Sequence, residues 1–275
     1  HLKPISVFFA MSIATTVYTN MDNVMLGFMR GTTENGYYDA AVKIKNILVS
    51  FVTSLGTVLL PRVSYYIEVG EKEKFWQIAK KALNFVFLIS VPMCTYFILF
   101  AKPSIALLSG SAFENAVFPM QLIMPTLIFI GITNIIGLQM LVPLGREKQV
   151  LCSEIVGAIV NIIVNSLLIP RMGAAGAAIG TVLAEFAVFC VQVVAMREQI
   201  LLVLRKISYL KIALAVVIGS LCSLWVIHFS SNAFFCLAVS AVLFFGSYGI
   251  VLIITREKTV IEIVDQIFDK IRNFF

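Results

Sequence analysis

Asp22, Lys43, Glu154 and Glu185 are charged residues set in stretches otherwise apolar enough to cross a bilayer. Holding a charge at bilayer depth costs about 2.5–3.5 kcal/mol even on the mildest scale. Such a side chain pairs with another group or faces a wetted, protein-lined interior, and the second case marks a path for an ion or polar cargo. Helical spacing gathers polar neighbours around each of them on one face. Ser12, Thr15, Thr16, Thr19, Asp22 and Asn23 form one stripe; Lys43, Asn46, Ser50, Thr53, Ser54 and Thr57 form another. Further stripes are Thr126, Thr133, Asn134 and Gly137; Glu154, Gly157, Asn161 and Asn165; and Thr181, Glu185 and Gln192. Ser and Thr on such stripes are readily explained by helix packing, so the charged groups carry the inference. Asp22 and Lys43 are expected to line an interior cavity. For Glu154 and Glu185 structural pairing is an equal alternative. Lys45, about 200° around the helix from Lys43, is expected to reach for lipid headgroups with its stem along the apolar surface.

These stripes need helices to carry them. The 275 residues are 60% hydrophobic and 13% charged, with a mean hydropathy of +0.96, well outside the range of soluble domains. Apolar runs of about 20 residues predict eight transmembrane helices, at 4–28, 41–61, 82–101, 118–142, 150–169, 174–196, 211–229 and 233–255. The runs are continuous rather than alternating, which argues for a helical bundle over a β-barrel. The fold class is an all-α integral membrane protein. Six helices in 1–196 form a lobe around a polar interior. Residues 197–255 hold a basic loop and two peripheral helices, whose polar content is mainly Ser, Cys and His228. Residues 256–275 form an amphipathic cytoplasmic tail, with Val260, Val264, Ile267, Ile271 and Phe274 at helical spacing. Pro92 and Pro125 are expected to kink their helices, the loop 101–116 to hold a short interfacial helix, and GAAGAAIG at 173–180 to bring two helices into close contact.

With both termini in the cytoplasm, only Arg30, Lys43, Lys45, Lys102 and Arg171 of the 21 Lys and Arg residues fall on the opposite side. That asymmetry sets the orientation by the positive-inside rule. It also explains the net charge of +6 through topology, with no nucleic-acid partner required. The five cysteines all lie in predicted spans, without CxxC spacing, so neither disulfides nor zinc are expected. No HExxH, GxSxG, P-loop or GxGxxG context is present. The residues therefore point away from an enzyme and from any metal or cofactor, with no catalytic residue to name. An integral membrane glycan polymerase or acyltransferase would need catalytic groups in large outer loops, and the outer loops are mostly short. The chain opens on His1, as expected of an excerpt from a longer protein.

The runs DNVMLG (22–27), GYYDAAVKI (36–44) and LPRVS (60–64) resemble the start of the second lobe in bacterial polysaccharide repeat-unit flippases. These are the Wzx-type O-antigen and capsule exporters, within the superfamily that also holds multidrug antiporters and lipid II flippases. PLGREKQ (143–149) and GAAGAAIGTVLAE (173–185) are similar to later segments of the same lobe. The resemblance covers about residues 1–196, with the last two helices matching the extra pair of fourteen-helix members. It implies a two-lobe transporter whose N-terminal lobe is missing from this chain, located in the bacterial inner membrane. It implies transport, without nucleotide hydrolysis, of an undecaprenyl-diphosphate-linked oligosaccharide to the outer leaflet by alternating access driven by H+ or Na+. On that view Lys43 meets the anionic headgroup, and Asn46, Asn134, Asn161 and Asn165 bond sugar hydroxyls. Asp22, Glu185 or Glu154 couples the ion. A drug or metabolite antiporter of the same superfamily, favouring carboxylates over Lys43, is the alternative; an inactive truncated remnant is another.

Overall fold

The structure, a computed structural model, describes residues 2–205, 207–229, 232–262 and 264–265, and all its regular structure is helical. The chain runs through α1 (Leu2–Arg30), α2 (Thr32–Glu68), α3 (Lys72–Leu99), α4 (Ala101–Leu108), a 3-10 turn (Ser111–Ala116), α5 (Val117–Ile123), α6 (Thr126–Thr133) and a π-helix (Asn134–Leu141). It continues through α7 (Glu147–Met172), α8 (Ala174–Ala195), α9 (Arg197–Leu204), α10 (Tyr209–Ser223), α11 (Val226–Phe229) and α12 (Ala233–Ile254). Among the described residues five helices are long and apolar enough to cross a membrane, or six if the bent pair Ser111–Ile123 and Thr126–Leu141 is one span. This is fewer than the eight expected. The difference lies in α1 and α2, whose 29 and 37 residues are long enough to cross but carry the densest polar stripes.

The fourth predicted span is broken rather than straight, bending by 46° between residues 123 and 126. Pro125 sits at the break, where its missing N–H and ring clash end the preceding helix. Helix α3, by contrast, continues through Pro92. The 101–116 segment is helical as expected, as α4 and the 3-10 turn, closed by Lys102 Nζ 2.7 Å from Glu114 Oε1. That bond and charge hold the Glu114 carboxyl below its usual range.

Two apolar cores hold the bundle. One joins α1, α2, α5 and α8 through Leu26, Tyr38, Met120 and Ala177; the other joins α3, the π-helix, α9, α10 and α12 through Leu83, Ile136, Ile200 and Phe244. Lipid gives helices no hydrophobic reason to associate, so close packing and interhelical hydrogen bonds do the work. In the antiparallel pair α7 and α8, a Cβ on Gly176 would lie 2.6 Å from the Leu168 carbonyl, and one on Gly157 2.5 Å from Val188. GAAGAAIG is thus a close-packing surface, as expected. Helices α10 and α12 pack on each other and against α3. Tyr96 Oη lies 2.9 Å from both Leu237 O and Ser240 Oγ, and Tyr248 Oη donates to Leu88 O at 2.8 Å. The chain then turns into the tail, where buried Glu257 accepts from Asn84 Nδ2 at 3.0 Å and Lys81 pairs with Glu262 at 2.6 Å. Of the tail's apolar residues, Ile267, Ile271 and Phe274 lie outside the described residues.

Candidate functional site

Asp22 is 2% exposed, on α1 about two turns from its end at Arg30. Its Oδ1 accepts from Asn161 Nδ2 at 2.8 Å and Asn165 Nδ2 at 2.5 Å, one turn apart on α7. Its Oδ2 accepts from Tyr38 Oη of α2 at 2.5 Å and lies 2.9 Å from Thr181 Oγ1 of α8. Thr181 Oγ1 is also 2.8 Å from Tyr38 Oη and 3.0 Å from Ala177 O, so one hydroxyl proton is shared among several acceptors. Asn165 Nδ2 also reaches Asn161 Oδ1 at 3.1 Å, while Asn165 Oδ1 is buried without a donor. Gly180 makes room for that oxygen, since a Cβ there would lie 2.0 Å from it. Four helices thus contribute to one buried carboxylate, which is the kind of arrangement that keeps a charge inside an apolar bundle.

Turn chemistry at one end of the bundle sets the register of these helices. Arg30 Nη1 reaches Pro170 O at the end of α7, at 3.4 Å. Glu34 Oε2 accepts from Ala174 N, the first residue of α8, at 2.8 Å. A cation at a helix C-terminus and an anion at an N-terminus both complement the helix dipole. Gly173, at φ +55, has no Cβ to collide with Glu34. The α1–α2 turn is thereby fastened to the α7–α8 turn, one to two helical turns beyond Asp22.

From Asp22 a cavity of about 350 Å³ extends through the bundle, away from those turns. Tyr38, Lys45, Asn134, Glu154, Thr181, Glu185 and Gln192 are among its lining residues. At its far end Gln192 donates from Nε2 to Ser153 Oγ at 3.2 Å, and its own Oε1, like Asn134 Oδ1, is buried without a donor. Gly137 of the π-helix meets Gln192, where a Cβ would be 3.0 Å from Nε2. Single π-turns inside helices often mark functional sites. A separate apolar groove of about 780 Å³ lies between α2, α3 and α12, lined by Phe51, Phe85, Leu88, Met93, Phe97 and Phe245 among others.

The two lysines exchange the positions expected of them. Lys45 lines the cavity, whereas the Lys43 side chain is 72% exposed and pairs with Asp39 at 2.8 Å. The polar stripe that pointed to Lys43 satisfies itself: Ser50 donates to Asn46 O, Thr53 to Val49 O and Ser54 to Phe51 O. Such bonds need no cavity. Asn46 and Asn134 are both among the lining residues of the cavity. Asn161 and Asn165, both 0% exposed, are bound to Asp22 and out of a sugar's reach. Glu154 and Glu185 both line the cavity. Tyr38 is the residue that sequence reasoning missed. Its signal was its position two turns before Lys45, on the same helix face. The side chains of Thr19 and Thr57 fall outside the described ones.

The described residues form an all-helical, apolar bundle built around a buried carboxylate and an internal polar cavity. Residues 5–118 match the family described as polysaccharide biosynthesis protein. The chain is 25% identical over 195 residues to a putative O-antigen transporter of Escherichia coli K12, covering 71% of this chain and 47% of that protein. It is 24% identical over 177 residues to a probable low-salt glycan biosynthesis flippase, Agl15, of Haloferax volcanii, covering 64% and 37%. An uncharacterized membrane protein of Methanocaldococcus jannaschii is 25% identical over 248 residues, 90% of this chain and 49% of that one. The fold is that of the lipid II flippase MurJ in an inward closed conformation, with a TM-score of 0.74 at 19% identity, over 90% of this chain and 52% of that one. The chain is thus a multi-pass membrane protein, similar over part of its length to a putative O-antigen transporter and a probable glycan biosynthesis flippase. It spans about half the length of the curated relatives it matches.

Proposed function

We propose that the chain is the second lobe of a flippase that moves an undecaprenyl-diphosphate-linked oligosaccharide from the inner to the outer leaflet of the bacterial cytoplasmic membrane. Alternating access is driven by H+ or Na+, and Asp22 is the coupling group. The observation that carries this reading is the four-helix convergence on Asp22. Binding or losing a cation there changes the charge that ties α1 and α2 to α7 and α8, and a lobe that rocks must couple its helices in this way. The cavity beside Asp22 is lined by three carboxylates, Asp22, Glu154 and Glu185, and one lysine. That balance suits a small cation better than a diphosphate. The anionic headgroup is therefore assigned to the open face of α2, where Lys43 and Asn46 are both exposed and about 60° apart on the helix. The hydrocarbon tail fits the apolar groove between α2, α3 and α12.

Complementation of a strain lacking its own polysaccharide flippase tests the reading. Asp22→Asn, with normal membrane levels of the protein, is expected to reduce surface polysaccharide by about tenfold or more, since its charge-assisted bonds are lost. Wild-type export by Asp22→Asn removes Asp22 from the mechanism, and unchanged export by Lys43→Ala removes Lys43. The carboxylate-rich cavity also favours a second reading, an antiporter for a cationic cargo. In that case Asp22→Asn loses resistance to cationic drugs and leaves polysaccharide untouched.

A further inference from the structure

Lys45 is the one cation lining the internal cavity, and it forms no direct ion pair among the described residues, unlike Lys43. Its placement relative to the carboxylates follows from helix geometry. Helices α2 and α8 both start at the Gly31–Gly173 end, where Tyr38 and Thr181 meet Asp22. Lys45 is seven residues further along α2, about 10 Å of helical rise, and Glu185 four residues further along α8, about 6 Å. Helical side chains lean back toward the N-terminus of their helix. The Lys45 stem therefore carries its ammonium toward the level of Glu185 and, beyond it, Asp22. Glu154 lies seven residues from Asn161 on α7, about 10 Å in the same direction, and lines the same cavity.

We propose that Lys45 is a tethered counter-charge: in the cation-free lobe its ammonium neutralises Asp22 and Glu185, and a monovalent metal cation arriving at Asp22 displaces it toward Glu185 and Glu154. This rests on the reading of Asp22 as the coupling group. The charged and titratable groups that line the cavity are Asp22 from α1, Tyr38 and Lys45 from α2, Glu154 from α7 and Glu185 from α8. With all three carboxylates ionised, the lining carries one ammonium against three negative charges, which leaves room for a cation without expelling the lysine. The device gives the empty lobe a defined charge state, so that the lobe need not wait with an uncompensated carboxylate inside the membrane. It also makes cation affinity a competition that Glu185 biases by holding the lysine away from Asp22.

The competition predicts effects of opposite sign, which a merely structural role does not. The test is Na+-dependent stabilisation of the intact protein in detergent, read as the shift of its thermal unfolding midpoint with Na+ at fixed ionic strength. Lys45→Gln is expected to lower the half-saturating Na+ concentration about tenfold, and Glu185→Gln to raise it. Lys45→Arg, which keeps the charge, stays near wild type. If wild type responds to Na+ and Asp22→Asn does not, but Lys45→Gln matches wild type within about twofold, the proposal is overturned while the Asp22 reading stands. If Lys45→Gln fails to fold, an unchanged Glu185→Gln overturns it equally. No Na+ response in either wild type or Lys45→Gln also overturns it, and the fate of Asp22 then rests on the complementation experiment alone.

Discussion

The hydrogen bonds on Asp22 are unequal. Asn161 and Asn165 approach one oxygen from a single helix, so either amide partly covers for the other. Tyr38 and Thr181 approach the second oxygen from two different helices and touch each other. Removing the Tyr38 hydroxyl therefore breaks a link between helices, whereas removing one amide thins a link that remains. A hydrogen bond to a charged group is worth about 1.5–3 kcal/mol. Tyr38→Phe is accordingly expected to slow polysaccharide export about tenfold or more at unchanged protein level, and Asn161→Ala to slow it less. Equal effects of the two, measured as surface polysaccharide over time after induction, count against the bridging role. At this scale the sequence singled out Asp22 by the cost of its charge and put Asn161, Asn165 and Thr181 on polar stripes, but it gave the two asparagines to sugar hydroxyls rather than to the carboxylate they bond. It misled for Lys43, because Ser50, Thr53 and Ser54 bond to carbonyls of their own helix and so make a polar stripe that needs no cavity. For Tyr38 it offered only a place on the Lys45 face of α2, since an aromatic hydroxyl gains meaning only when α1 is packed beside it.

Among the elements, the pair of turns at residues 30–34 and 170–174 has the most leverage. Glu34 lies beyond the predicted start of the second span at residue 41, so nothing local identified it as a partner of α8. Its role depends on a contact across 140 positions of chain. The Pro125 break, by contrast, was legible because proline acts locally, and so was the close contact along GAAGAAIG. The π-helix was not, and the one contact that marks it out is across helices, Gly137 against Gln192. Loss of a side-chain cap costs about 1 kcal/mol. Glu34→Ala is expected to lower the unfolding midpoint in detergent by a few degrees, at about 2–4 °C per kcal/mol. Gly173→Ala should lower it more, because the residue sits at φ +55 and the new Cβ would fall 2.1 Å from Glu34 Oε2. The double variant Glu34→Ala/Gly173→Ala separates the two costs: removing Glu34 relieves the clash and leaves the backbone strain, so the losses should not add.

On the scale of the whole molecule, the asymmetry of basic residues becomes an asymmetry between two ends of one bundle. The Gly31–Gly173 end carries the fastened turns, the Lys102–Glu114 pair and little other positive charge. The opposite end carries Lys72, Lys74, Lys80, Lys81, Arg146, Lys148 and Arg197, together with the docked start of the tail. Asp22 lies nearer the first end and the Gln192–Ser153 contact nearer the second, so orientation decides which face of the membrane the carboxylate lies nearer. The positive-inside rule assigns the basic end to the cytoplasm. In a background with Cys152 and Cys222, the two exposed cysteines, replaced by Ser, single cysteines at Thr32 and Ser111 should then react with a membrane-impermeant maleimide in intact cells. Cysteines at Gly70 and Lys148 should react only after permeabilisation. The reverse pattern inverts the molecule and puts Asp22 nearer the cytoplasmic face.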